Sequence, residues 1–169
     1  MSAHSLDESS LCQTCGLCCQ GLLYSFVALR ADEVGAAKTW PVEMVTRDDE
    51  IGFKQPCGCL TELRCSVYAR RPQTCAQYRC QLLRRLRQKE ISPASAFECV
   101  AEARRLIAEI ETHIPAVSCK SIWQRINERW NLFEFQHLLA KGELNSEALT
   151  AIVGLDVVLT KYFRVDKKG

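Results

Sequence analysis

The alternation of hydrophobic and polar positions divides the chain into an irregular first half and a helical second half. From residue 92 onward, apolar residues recur every three or four positions, which places them on one face of an α-helix. Pro115 ends the first periodic run, a second run lies around Trp123, and a third covers about residues 146–163. The pattern therefore predicts three helices, whose shared core is expected to contain Phe97, Ile107, Trp123, Trp130 and Ile152.

In the first half of the chain, only short segments have a pattern that predicts secondary structure. Residues 22–29 (LLYSFVAL) form an apolar run with aromatic and β-branched members, which predicts one buried strand. Residues 46–56 are polar and predict a loop, whereas residues 81–90 favour a helix.

Together these elements predict a mainly α fold. An irregular cysteine-rich module with little strand, over residues 1–91, is expected to pack on a C-terminal helical bundle over residues 92–169. With 169 residues and 47% hydrophobic content, the chain suits one compact domain or a small domain with an appendage.

The most informative feature of the composition is the cysteine content, because the chain has 11 cysteines. No stretch reaches the roughly 18 apolar residues that a membrane helix needs, and the polar, acidic N-terminus does not resemble a secretory signal. We therefore expect a cytoplasmic protein without membrane contact, in a reducing compartment where disulfides are rare. Metal binding is the usual reason for so many thiols in such a compartment.

The first cysteine group, Cys12-x2-Cys15-x2-Cys18-Cys19, has the spacing of metal ligands. A C-x2-C step lets one tight turn direct two thiolates at a single ion or cluster. Two consecutive steps are typical of bacterial ferredoxins, but the opening also matches half of a zinc knuckle, so iron and zinc both remain open. Because neighbouring side chains in extended backbone point to opposite faces, one of Cys18 and Cys19 is expected to serve a second site or to bridge two metals.

The second cysteine group lies over residues 57–80, and its candidate ligands are Cys57, Cys65, Cys75 and Cys80. Cys59 is left undecided between a ligand and a spare thiol. Cys75 and Cys80 would lie about 140° apart on an ideal helix, so either the helix begins after Cys80 or the two thiols serve different sites. Cys99 and Cys119 fall within helical patterns and are expected to behave as small buried hydrophobic residues.

The two groups resemble the signature of the CxxCxxCC (YkgJ-type) cysteine-cluster family, which is described as zinc- or iron-chelating. The second group reads Cys65-Ser-Val-Tyr-x2-Arg71-Pro72-x2-Cys75, and family members typically read C-x-I-Y-x2-R-P-x2-C. The resemblance covers residues 12–80 and implies kinship with the flagellin lysine methylases, whose cysteine domain is regarded as an iron–sulfur domain. It implies eight metal-binding cysteines, namely Cys12, Cys15, Cys18, Cys19, Cys57, Cys65, Cys75 and Cys80.

Two positions depart from the family pattern. Gly58-Cys59 replaces the usual Pro-Phe, which brings an extra thiol next to Cys57 and leaves the number of ligands open. Ala76 stands where an arginine usually follows Cys75, which weakens the transfer of any detailed function.

Arg71 is a candidate for a residue that contacts the metal ligands and not the metal itself. The proline that follows it restricts Arg71 to extended backbone, so the chain turns just before Cys75. Arg71 could then donate hydrogen bonds to a thiolate or sulfide. The alternative is an ordinary surface arginine ahead of a helix.

The charge distribution supports a centre rich in thiolates. Residues 64–89 carry eight basic and no acidic side chains, which would offset part of the negative charge of a thiolate centre. A nucleic-acid surface is the competing explanation. It is disfavoured because the basic residues spread around the predicted helix instead of forming a stripe: Arg79, Arg84, Arg85, Arg87 and Lys89.

The leading functional hypothesis is an iron–sulfur protein with a redox or catalytic role, since eight cysteines match two four-iron clusters (4Fe-4S). The rival is a structural zinc module without enzymatic activity, whose helical half binds a protein or RNA partner. A thiol redox switch is less favoured, because so many thiols would be redundant. The histidines, His4, His113 and His137, are poor ligand candidates, and no phosphate-binding loop or catalytic triad stands out.

Overall fold

The computed structural model describes residues 8–114, 117, 120–130, 141 and 146–165. The chain divides into two compact units, Met1–Arg79 and Cys80–Gly169. The boundary between the units comes earlier in the sequence than the one expected after residue 91. The predicted helix at residues 81–90 therefore belongs to the second unit. About half of the chain is helical and its strands are short, which confirms the mainly α prediction.

The first unit combines short helices with two small antiparallel sheets. Its helices are α1 (Glu8–Cys15), α2 (Val34–Ala37) and α3 (Gln73–Gln77), with a 3-10 turn at Tyr68–Arg70. Its strands are β1 (Phe26–Ala28), β2 (Met44–Arg47), β3 (Glu50–Lys54), β4 (Leu60–Thr61) and β5 (Arg64–Cys65). The strand order is β1-β3-β2 in the larger sheet, and β4 pairs with β5 in the smaller one.

The loop predicted at residues 46–56 is wrong, because β2 and β3 form a hairpin there. Arg47 pairs with Glu50, and the two residues between them, Asp48 and Asp49, have φ of 50° and 64°. Positive φ at both central residues gives a turn whose twist matches that of the flanking strands. At the centre of the sheet, a Cβ on Gly52 would lie 2.2 Å from the carbonyl oxygen of Val27, so only glycine fits.

The strand predicted over residues 22–29 is shorter than expected and begins at Phe26. Leu22, at the start of the predicted strand, instead closes a turn, because its N–H donates to the Leu17 carbonyl at 3.2 Å. Gly21, at φ 75°, provides the left-handed residue that this turn requires. The core of the first unit includes Leu17, Val27 and Phe53, all of them nearly inaccessible to solvent.

The second unit is helical within the described residues. It contains α4 (Gln81–Arg87), α5 (Pro93–Glu111), α6 (Ile122–Trp130) and α7 (Ser146–Tyr162). The three helices predicted after residue 92 are thus confirmed, although Cys119 at the start of the second lies outside the described residues. No helix in the described part of the chain is both long and apolar enough to cross a membrane.

The core of the second unit forms where α5 packs on α7. Ser92 caps α5 by accepting a hydrogen bond from the Ser95 N–H at 3.1 Å, and Pro93 occupies the first helical position. A Cβ on Gly154 would lie 3.2 Å from Leu106, so a small residue here allows close approach of the helices. Among the predicted core residues, Ile107, Trp130 and Ile152 are buried, whereas Phe97 and Trp123 are only half-buried.

Candidate metal centre

A main-chain hydrogen bond joins the two cysteine groups. The N–H of Cys57 donates to the carbonyl oxygen of Cys19 at 2.7 Å. The two residues are 38 positions apart in the sequence, and the bond fixes the register between the end of the first group and the start of the second.

The first two cysteines lie on a helix, which the sequence did not predict. Cys12 and Cys15 are three residues apart on α1, so their side chains share one helical face. Cys12 is exposed and Cys15 is half-buried. The helix ends at Gly16, whose φ of 70° turns the chain toward Cys18 and Cys19.

The β4–β5 hairpin brings Cys65 to this turn. A Cβ on Gly16 would lie 3.5 Å from Cδ2 of Leu63 at the hairpin tip and 3.7 Å from Cδ1 of Leu60. Cys65 pairs with Leu60 in the hairpin, and the next residue, Ser66, donates its N–H to the carbonyl oxygen of Cys59 at 2.8 Å. The hairpin therefore carries Cys59 at its entry and Cys65 at its exit.

Helix α3 positions Cys75 by docking on the end of β1. The hydroxyl of Thr74 donates to the Ala28 carbonyl at 2.7 Å. The N–H of Gln73, at the start of α3, donates to the Glu33 carboxylate, also at 2.7 Å. A negative charge at this position is favourable because the first N–H groups of a helix lack internal partners.

Arg71 is held beside Cys75 by the 3-10 turn that precedes α3. Its guanidinium lies 3.7 Å from the centre of the Tyr68 ring, and its Nη1 donates to the Tyr68 carbonyl at 3.1 Å. The backbone at Arg71 is extended, as the following proline predicts. Burial raises the pKa of the Cys75 thiol to about 11, while a hydrogen bond from Tyr24 and the positive charge of Arg71 act in the opposite direction.

Thiols from several segments influence the ionisation of Cys19. Its pKa is raised to about 12, first by burial and then by the sulfurs of Cys65, Cys75, Cys59 and Cys12. Burial also raises the pKa of Cys57, and the sulfurs of Cys59 and Cys19 add to the effect, although the Cys59 N–H hydrogen bond partly opposes it. As thiolates these sulfurs would repel one another, so their joint deprotonation is unfavourable without a cation.

Tyr24 was not among the predicted site residues, yet its hydroxyl donates a hydrogen bond to the Cys75 sulfur. The pKa of Tyr24 is raised, mainly by burial and then by the nearby sulfurs of Cys18, Cys75 and Cys19. Its ring meets that of Tyr78 edge-on at a centroid distance of 4.8 Å. The only sequence feature that could have indicated this role is the hydroxyl of a tyrosine within the otherwise mostly apolar run at residues 22–29.

Cys80 is the first residue of the second unit, and α4 begins immediately after it. Its half-buried sulfur accepts hydrogen bonds from the N–H groups of Leu83 and Leu82, although burial still raises its pKa. Of the two alternatives for Cys75 and Cys80, the one in which a helix begins after Cys80 is confirmed. The role of Cys80 as a ligand stays a prediction.

The remaining cysteines differ in their surroundings. Cys59 is buried, with 1% of its surface exposed. Cys99 is half-buried on α5, where burial raises its pKa and the charges that act on it belong to Arg85, Glu98 and Lys161. Cys119 lies outside the described residues, as do His4 and His137.

The donor set has the chemistry of a site for a borderline or soft metal. Every cysteine in the described part of the chain is a free thiol, and thiolates are the preferred protein ligands of zinc and of iron–sulfur clusters. Among the described residues, no group of three or more His, Cys, Asp or Glu side chains lies in an arrangement that could hold a metal ion.

These features define a thiol-rich metal-binding module. The sequence matches the CxxCxxCC family, described as "putative zinc- or iron-chelating domain", over residues 11–106. The match covers more than half of the chain, so the chain belongs to this family, and the resemblance drawn from its cysteine spacing is confirmed. No curated protein and no solved structure matches the chain.

Proposed function

We propose that the chain is an iron–sulfur protein with a redox or catalytic role. The observation that carries this proposal is the joining of the two cysteine groups by the bond from Cys57 N–H to the Cys19 carbonyl oxygen, with the β4–β5 hairpin packed on the turn at Gly16. The proposed ligands are Cys12, Cys15, Cys18, Cys19, Cys57, Cys65, Cys75 and Cys80, which would suit two 4Fe-4S clusters.

The protein's own groups would perform three tasks at such a centre. The thiols would lose their protons to solvent and supply the negative donors. Arg71 would offset part of that charge beside Cys75, where Tyr68 holds its guanidinium. The Tyr24 hydroxyl would donate to the Cys75 sulfur, and hydrogen bonds to sulfur are one of the means by which proteins adjust reduction potentials. A bound iron–sulfur cluster would supply one-electron transfer.

Metal binding would bring thiols of the two cysteine groups together as ligands. Coupling between metal binding and folding is common in small sites of this kind. The same thiols could hold zinc, which is the alternative proposal of a structural module for a protein or RNA partner. The double C-x2-C step from Cys12 to Cys18 favours iron, as does the kinship with the flagellin lysine methylases that the resemblance implies.

The test is anaerobic expression of the full chain in iron-replete medium, followed by absorption spectroscopy and elemental analysis. We expect brown protein with broad sulfide-to-iron absorption, and with iron and acid-labile sulfide in the purified sample. Colourless protein with stoichiometric zinc would overturn the iron proposal in favour of the zinc module. Protein without bound metal after reconstitution with either metal would overturn both.

A further inference from the structure

Two polar residues are buried in the described part of the chain, Ser121 and Gln55, with 7% and 5% of their surface exposed. The hydroxyl of Ser121 accepts a hydrogen bond from the Gln124 N–H at 3.3 Å, so its burial is balanced by a helix cap. The side-chain oxygen of Gln55 is buried without a hydrogen-bond partner among the described residues. An unpaired buried acceptor destabilises a folded protein, which indicates a partner that is present only in another state of the protein.

Gln55 lies between the larger sheet and the main-chain bond that joins the two cysteine groups. Its N–H donates to the Ser25 carbonyl at 3.0 Å, which extends the pairing of β1 with β3 by one residue. Two residues later, the Cys57 N–H donates to the Cys19 carbonyl at 2.7 Å. Because alternate residues of a strand share a face, the Gln55 side chain lies on the same side of the sheet as the buried Phe53. Main-chain bonds on both sides therefore hold this side chain inside the first unit.

The carboxamide of Gln55 can serve either kind of hydrogen-bond partner. Rotation about the last side-chain bond exchanges its oxygen and nitrogen without changing the shape of the group, so the buried end presents an acceptor or a donor. Cys19 and Cys57 are free thiols, and the sulfur of a thiol is only a weak acceptor. A metal-bound thiolate carries negative charge and is a much better acceptor. Metal binding would therefore supply the partner that a buried N–H of Gln55 needs.

We propose that Gln55 is a positioning residue of the metal centre, whose carboxamide turns on metal binding and donates an N–H to the sulfur of Cys57 or Cys19. Gln55 makes no bond to the metal. Its polar group is satisfied only in the metal-loaded protein, so it stabilises that state selectively and fixes the orientation of a ligand. This inference rests on the proposed metal-binding function and applies to zinc as well as to iron.

The test compares Gln55→Leu with the wild-type full chain in anaerobic cobalt(II) titrations of the reduced, metal-free protein. Leucine keeps most of the volume of glutamine and removes its polar atoms. We expect cobalt binding to weaken at least about tenfold, because hydrogen-bond partners of metal ligands contribute about 10- to 100-fold to affinity. The thiolate-to-cobalt charge-transfer band should also shift to longer wavelength, since the lost N–H no longer stabilises the sulfur lone pairs. Gln77→Leu, at an exposed glutamine on α3 of the same unit, is the matched control and should change neither quantity.

The direction of the change in cobalt affinity decides the inference. If the Gln55 carboxamide stays unpaired in the loaded protein, removing its polarity leaves the affinity of Gln55→Leu unchanged or raises it, and either result would overturn the inference. Weaker binding with an unshifted band would also overturn it, because a loss of packing alone does not alter the sulfur lone pairs. If circular dichroism shows that cobalt-loaded Gln55→Leu is unfolded, Gln55→Met, with a side chain as long as glutamine, is subject to the same criteria. Failure of the wild-type chain to bind cobalt, iron or zinc would instead contradict the proposed function itself.

Discussion

The pKa of the Cys19 thiol is raised by burial and by sulfurs from segments that are up to 56 residues away in the sequence. In the protonated state these thiols are neutral and can be half-buried at little cost. Deprotonating several of them without a cation would place like charges together in a poorly solvated region. A bound cation reverses the sign of that interaction, so the site favours metal over free thiolates.

Ligand loss at this site should be specific to position. Cys15→Ser and Cys75→Ser should each lower bound metal, since a hydroxyl does not replace a charged, soft sulfur donor. Cys99→Ser should leave metal content unchanged, because the side chains that act on Cys99 are charged groups and not thiols. Elemental analysis of the three anaerobically purified variants measures the effect. If metal content falls as strongly with Cys99→Ser as with Cys15→Ser, Cys99 belongs to the metal site and the prediction is wrong.

Proton release should accompany metal uptake. The pKa values of Cys19 and Cys75 are raised to about 12 and about 11, so both thiols are neutral near pH 7 and must lose protons to bind. Metal affinity should therefore fall as pH falls, by about tenfold per pH unit for each proton displaced. Cobalt titrations at two pH values below 9, with an indicator dye to count released protons, measure this dependence. Affinity that does not change with pH would show that the ligands are not these thiols.

The sequence predicted a cysteine-rich metal site but not the residues that support its helices and turns. Ligand spacing is local, so the C-x2-C steps and the Arg71-Pro72 pair are visible in short stretches of sequence. Tyr24 and Glu33 support Cys75 and its helix from about 50 and 40 residues away. Such contacts arise only when β1 and α3 pack together, and no short-range pattern indicates them.

At the scale of elements, the long helices of the second unit were predictable, whereas helix α1 and the two hairpins were not. Helix α5 and helix α7 carry long periodic runs, which is the most reliable signal in a sequence. The two hairpin turns place Asp48-Asp49 and Glu62-Leu63 at positive φ, where Asn-Gly or Asp-Gly would be the usual signal. Leu63 tolerates this conformation while its side chain lies against Gly16, so tertiary packing overrides local preference.

Two glycines should respond in opposite ways to substitution by alanine. Gly52→Ala should destabilise the first unit by about 1–3 kcal/mol or more, because the added methyl meets the Val27 carbonyl oxygen and the Phe26 ring. Gly35→Ala is the control: it lies in α2 with no atom within 4 Å of the new methyl, so it should stabilise by about 0.5–1 kcal/mol. Urea unfolding of the metal-loaded variants measures both changes. Equal effects of the two substitutions would contradict the close packing of β1 on Gly52.

At the scale of the whole molecule, apolar burial is unevenly distributed. Most of the buried hydrophobic residues belong to the helical unit, among them Val100, Ile110, Ile126, Leu155 and Leu159. The first unit has fewer, and one of them is Cys59 itself. A small core usually needs a metal or other cross-link to reach adequate stability.

Metal removal should therefore unfold the first unit much more than the second. After chelation, we expect backbone amides of residues 12–79 to lose protection from hydrogen exchange, while those of α5 and α7 keep it. The comparison of metal-loaded and metal-free chains by exchange and mass spectrometry gives the result for each segment. Full protection across residues 12–79 in metal-free protein would show that ligation does not supply the folding free energy of this unit.

The hydrogen bond between the Cys57 N–H and the Cys19 carbonyl has a consequence for redesign. Both atoms of this hydrogen bond belong to the main chain, so the bond does not depend on which side chains residues 19 and 57 carry. Single thiols around it could be exchanged for imidazole or carboxylate without removing either atom of this main-chain contact. The module is thus a scaffold on which metal preference can be varied one donor at a time.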